Sequence, residues 1–166
     1  FTAKIREATP DKLLKNAIFE ELEMQLQKLI NMGVPISHFD SHHHIHTIPW
    51  LFSVIKKLQK KYKIRKVRNT LNLYPENEIP GMKSLLMKRM WSLMMKYYYC
   101  SDMTKYFSFF EWFVQDGLAM KIKGNKTIEL MCHPGSQNYN DESELMKSEW
   151  KERLPKKSFL ISYNEL

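Results

Sequence analysis

Long stretches of helical periodicity alternate along this chain with short runs of β-forming residues. Leu14, Ile18, Leu22, Leu26 and Leu29 recur at intervals of three or four and stop at Gly33. That spacing predicts a helix over about 10–32, with Thr9 as the N-cap hydroxyl and Pro10 in the first turn. Val34 to Asp40 is short and rich in β-formers and reads as a strand. Pro49 opens a second helix through Tyr62, with Leu51, Val54, Ile55 and Leu58 on one side, and Ile64 to Asn69 gives the next strand. A polar loop with Pro75 and Pro80 leads to two predicted helices, about 81–99 and 106–120. Thr127 to Cys132 is a strand, 143–153 a helix, and Phe159 to Tyr163 a closing strand.

The order α-β-α-β-α-α-β-α-β implies parallel strands joined by right-handed helical crossovers, an α/β fold read as one domain over 1–166. In such folds function gathers at the C-terminal ends of strands, where Asp40 to His46, Arg68 and His133 fall. Four strands are too few to close a barrel of about eight, so the sheet is expected to belong to something larger. Its edge at Val34 to Asp40 would expose unpaired backbone beside apolar side chains. Self-association, as a homo-oligomer, is one expected consequence.

Composition narrows this little. The 166 residues, 43% of them hydrophobic, suffice for a core. The net charge of +8 comes largely from dispersed lysines, without the arginine cluster or stacking aromatics of a nucleic-acid reader, and is read as a solvated basic surface. The two cysteines, Cys100 and Cys132, are too few for a disulfide scaffold and fit a reducing, cytoplasmic compartment. No membrane span is expected, because the apolar region from Leu85 to Phe113 is broken by Lys88, Arg89, Lys96, Asp102, Lys105 and Glu111. Phe1 stands where a Met is usual and no secretory signal follows, which suggests a removed N-terminus or a fragment.

Candidate chemistry sits in two places. Five of the six histidines lie in His38-Phe-Asp-Ser-His-His-His-Ile-His46, and the sixth is His133 in Glu129-Leu-Met-Cys-His-Pro-Gly135. Imidazole clustered beside a carboxylate suits a metal site, an acid/base site or both. Strand alternation points His38, Asp40 and His42 to one side, with His44 and His46 following if the extended backbone persists. On that pattern His42 is a metal ligand and Asp40 the carboxylate that orients it. His38 reads as a satisfied buried histidine, while His43, His44 and His46 are open between lining the site and local hydrogen bonding. His133, fixed at a strand end by Pro134 and Gly135, reads as a general acid. Cys132 faces the other way by alternation, so no Cys–His nucleophile pair is expected.

These segments, with Pro49, Ile64-Arg-Lys-Val-Arg68 and the tail Phe159-Leu-Ile-Ser-Tyr-Asn-Glu-Leu166, resemble the YdjC-type carbohydrate deacetylases in order and spacing. The resemblance runs from about residue 10 to the end and is weakest over 75–120. It implies a partial (β/α) barrel of the polysaccharide-deacetylase-like type, mostly parallel, lacking its N-terminal strands. It implies a metal-dependent hydrolase that removes N-acetyl groups from amino sugars or oligosaccharides, with a divalent ion, Mg2+ or Zn2+, as cofactor. Carried over residue by residue, it makes His42 a ligand and His133 catalytic. Asp40 is the carboxylate candidate for catalysis, and His44, His46 and Arg68 are the candidates for binding substrate or lining the site. The family's Asp-Asp-Phe-Gly and Gly-x-His-x-x-Leu segments, which hold its other ligands, are not in this sequence, so the chain reads as a C-terminal portion expected to bind metal weakly and turn over poorly alone. Two other readings are a metal phosphoesterase of the polymerase-and-histidinol-phosphatase type, from Asp40-Ser-His-His-His44, and a non-catalytic interaction module.

Overall fold

The computed structural model describes residues 8–166, apart from the side chains of His42 and His43. Two compact units emerge, one of residues up to Arg68 together with Met94–Asp102, the other of Asn69–Leu93 and Met103–Leu166.

The first unit begins with α1, Lys12–Asn31, whose N-cap is Asp11: its Oδ1 accepts from the Leu14 amide at 2.7 Å. The predicted cap at Thr9 is thus displaced by two residues. The carboxylate there satisfies one of the amides that a first turn leaves without an intrahelical partner. Leu26 is the buried residue of α1, while Leu29 is 43% exposed, so the predicted stripe is covered at only part of its length. A 3-10 helix at His42–Thr47 leads directly into α2, Pro49–Tyr62, which has proline in its first turn and Lys63 in the left-handed conformation at its end. Leu51, Val54, Ile55 and Leu58 on α2 are buried, as their spacing predicts, and Phe52 is buried with them. Burial of each such side chain contributes roughly 1.5–3 kcal/mol.

Helix α1 lies against α2 through Tyr62, whose hydroxyl donates to Glu23 Oε1 at 2.9 Å, and through the Lys61–Glu23 ion pair at 2.6 Å. The predicted strands of this unit are reduced to single parallel bridges, Phe39 with Val67 and Lys66 with Asp102. Proline at 35 removes a ladder donor, and Ser41 begins the turn into the 3-10 helix, so the extended run is too short for a full ladder.

The second unit holds α3, Met82–Leu93, and a two-stranded parallel sheet of β1, Tyr106–Phe109, and β2, Ile128–Met131, in the register Tyr106 to Ile128 and Phe109 to Met131. Asn72 bridges to Phe107 on the other side of β1. The helix predicted over 106–120 is therefore a strand followed by α4, Phe110–Gln115, and α5, Leu118–Lys121. Tyr-Phe-Ser-Phe is favoured in a strand, and its neighbours decide the matter: Phe107 and Ser108 are fully buried between two partners. Gly117, at φ 65°, supplies the left-handed turn that divides α4 from α5.

The helix predicted over 143–153 is α6, Asn140–Lys147, and a separate 3-10 turn at Trp150–Arg153. Among the described residues Phe159 to Ile161 joins no strand, and Ser162 caps a 3-10 turn at Tyr163–Glu165. The fold is α/β with parallel pairing throughout its described bridges and ladder, as alternation predicts. Among the described residues no helix is long and apolar enough to cross a membrane.

Candidate functional site

In the first unit the histidine segment is built around Ser41. Its Oγ accepts from the His46 amide at 3.0 Å and lies 2.5 Å from His46 Nδ1, while His46 Nε2 lies 3.1 Å from the Arg68 carbonyl. A carbonyl can only accept, so Nε2 carries the proton and Nδ1 accepts from the serine hydroxyl. His46 is 0% exposed. Burial foremost, then neighbouring His44, pushes its pKa down to about 3, so the ring is neutral at physiological pH. The residue expected to line the site is placed inside the unit, tying the His segment to the backbone at Arg68.

Asp40 holds the other end of the same connection. Its Oδ2 is 2.5 Å from the Arg68 guanidinium and its Oδ1 accepts from the Ser41 amide at 2.6 Å. The Arg68 amide in turn donates to the Phe39 carbonyl at 2.9 Å. Arg68 is drawn in, with its side chain 12% exposed against 36% for Asp40. His38 is half-buried with Nδ1 2.9 Å from Ser37 Oγ, and burial pulls its pKa below the usual histidine value, with Arg68 adding to the effect.

The extended backbone does not persist past Ser41, so the expected alternation of His42, His44 and His46 is replaced by 3-10 geometry. His44 sits at φ 53° with its ring edge-on to His46 at 5.9 Å. The ligand role expected of His42, and any site lining by His43, concern side chains outside the described residues. Among the described residues no three of His, Cys, Asp and Glu converge as a metal site requires. With Asp40 engaged by Arg68 and His46 by Ser41 and Arg68, the described donors do not fit a metal ion.

The second unit carries His133. Strand β2 ends at Met131, and after Cys132 and His133 the pair Pro134 and Gly135, the latter at φ 76°, turns the chain back on itself. The turn is closed by the Ser136 amide donating to the His133 carbonyl at 3.3 Å. The His133 side chain is 30% exposed, yet it is held on two sides. Glu142, 3% exposed, accepts from the His133 amide at 2.7 Å and lies 3.1 Å from Nδ1 through the same Oε2. Tyr139 stacks on the ring at 4.1 Å with an interplanar angle of 15°.

The Cys132 thiol is pushed up by burial and by the Glu142 charge, which disfavours the thiolate a nucleophile needs. The tail also reaches this strand, since the Tyr163 hydroxyl donates to Glu129. Glu142 was not legible as a functional candidate. The one signal in the sequence was an acidic pair, Asp141-Glu142, at the start of a helix soon after His-Pro-Gly.

The comparisons with known proteins bear on the same segments. Among curated relatives named carbohydrate deacetylase, that of Halalkalibacterium halodurans is 34% identical over 131 residues, covering 78% of this chain and 47% of the relative. That of Vibrio parahaemolyticus is 26% identical over 140 residues, 80% of this chain and 44% of the relative. That of Oceanobacillus iheyensis is 28% identical over 138 residues, 81% and 50%. The chain thus spans about half the length of these relatives. No solved structure matches it at a significant level. The family match extends over residues 1–157, taking in the Ser41–Arg68 connection and the His133 turn alike, and by it the chain belongs to the YdjC-like protein family.

Proposed function

We propose that this chain serves a hydrolase that removes N-acetyl groups from amino sugars or oligosaccharides, with His133 as the general acid. The observation that carries the reading is the His133 ring, accessible to solvent at the end of β2 yet held by a buried carboxylate, in a chain of the YdjC-like family. Amide hydrolysis stalls unless the departing nitrogen is protonated, and a positioned imidazole supplies that proton near neutral pH. The names of the relatives support the acetylated-carbohydrate substrate class.

In this reading Asp40 keeps Arg68 in place, and Arg68 and His44 are the candidates for substrate contact. The proposal extends to a divalent ion, Mg2+ or Zn2+, taken by His42 with donors other than the described ones. Calorimetric titration of either ion, lost on His42→Ala, tests that part. The parallel pairing is in keeping with part of a (β/α) barrel. To test the activity, the segment of the Halalkalibacterium halodurans relative outside the matched region is joined to this chain. Acetate release from N-acetylated chitooligosaccharides is then followed with added metal and with chelator. Release that needs the metal supports the reading, and a folded chimera that releases none under either condition contradicts it.

A further inference from the structure

We propose that Glu142 is the positioning residue for His133, a role that rests on the reading of His133 as the general acid. An ionised carboxylate has no proton to give, so in the 3.1 Å contact Nδ1 is the donor. The proton is thereby fixed on Nδ1, and Nε2 becomes the nitrogen that takes up and delivers a proton. Both partners are anchored by the fold. His133 follows β2, and Glu142 lies on α6 three residues before Leu145, which is buried with Phe110 and Val114 in the cluster against which Leu130 and Cys132 pack. The Gly135 amide donates to Ser143 Oγ at 3.2 Å, a second tie between the turn and α6. Tyr139 covers one face of the ring, which opposes its rotation out of the carboxylate's reach.

A carboxylate 3% exposed is costly to bury unless donors meet it, and here the backbone amide and the ring of one residue both do. In the reaction, water's oxygen bonds to the acetyl carbon and the carbon–nitrogen electron pair goes to nitrogen. That nitrogen takes the Nε2 proton. The ring is left neutral with Nδ1–H still given to Glu142, and the proton released by the attacking water restores the imidazolium over the turnover.

The test is the tautomer of His133, read from long-range proton–nitrogen correlations on the 166-residue chain labelled with 15N-histidine, at a pH where the ring is neutral. In the wild type the Nδ1–H form should exceed the Nε2–H form by about tenfold or more, as a hydrogen bond to a charged group implies. Glu142→Leu should lower that ratio by about tenfold, whereas Glu142→Gln, which keeps an acceptor oxygen, should restore most of it. Backbone amide spectra establish that each variant is folded. A merely structural role for Glu142 would leave the tautomer where it was. A wild type with mainly Nε2–H overturns the proposal whether or not Glu142→Leu folds, and so does a folded Glu142→Leu with an unchanged tautomer. A tautomer held as expected, in a chimera whose acetate release is indifferent to His133→Asn, would instead overturn the acid role on which the proposal rests.

Discussion

Replacing His46 should change how stability depends on pH more than it changes the fold. The ring is buried and neutral, with a pKa near 3 in the folded chain against an ordinary value of 6.5. Below about pH 6.5 the unfolded chain binds a proton there that the folded chain refuses, so stability is fully present above that pH and falls as pH is lowered towards 3. Each pH unit in this window removes about 1.4 kcal/mol, and the loss by about pH 4.5 is about 2.7 kcal/mol. His46→Gln can still donate to the Arg68 carbonyl but does not titrate. It should cost about 1–3 kcal/mol at neutral pH through imperfect hydrogen bonding, yet lose less stability on acidification. The difference isolates His46 from His38, whose lowered pKa acts in the same direction. Urea unfolding of both proteins across pH 4 to 8 reads the effect. Parallel stability curves, or a His46 ring proton titrating near pH 6.5, would refute the reasoning.

Two further substitutions test local supports of the first unit. Asp40→Asn removes the charge that meets Arg68 at 2.5 Å. It should destabilise the chain by about 1–3 kcal/mol in chemical denaturation, the range expected for losing a charge-assisted partner. No change would show the pair to be no stronger than an ordinary surface ion pair. Asp11→Ala removes the cap at the start of α1 and should cost about 0.5–2 kcal/mol, visible as early loss of amide protection in residues just after Asp11 rather than in α2.

Helix α2 was legible in the sequence because its apolar spacing is regular and proline marks its start; the predicted and observed limits coincide at Pro49 and Tyr62. The parallel sense of pairing was legible from alternation of elements. What the sequence hid were choices made by distant partners. Residues 106–109 have aromatics that continue at helical spacing through Phe110, Phe113 and Val114, and only pairing with Ile128–Met131 makes a strand of them. Conversely, Phe159 to Ile161 has strand composition, but Phe159 is 81% exposed and the segment joins no described ladder.

The candidate site divides in the same way. His133 stood out by its turn, because Pro-Gly is a local signal. Glu142 did not, because its meaning lies in a fold-back of nine residues that no spacing announces. His46 looked like the other histidines of the run and differs from His38 and His44 in being buried, with a ring nitrogen bonded to the carbonyl of Arg68, twenty-two residues away.

The central claim is that His133 delivers the proton in a deacetylation, and acetate release by the chimera with and without His133→Asn tests it most directly. Loss of a general acid should lower kcat by about 10²–10⁴-fold, with little change in KM and with the alkaline limb of the pH profile, where an acid that has lost its proton no longer serves, altered. An unchanged kcat in the folded His133→Asn chimera, with the same pH profile, would contradict the account.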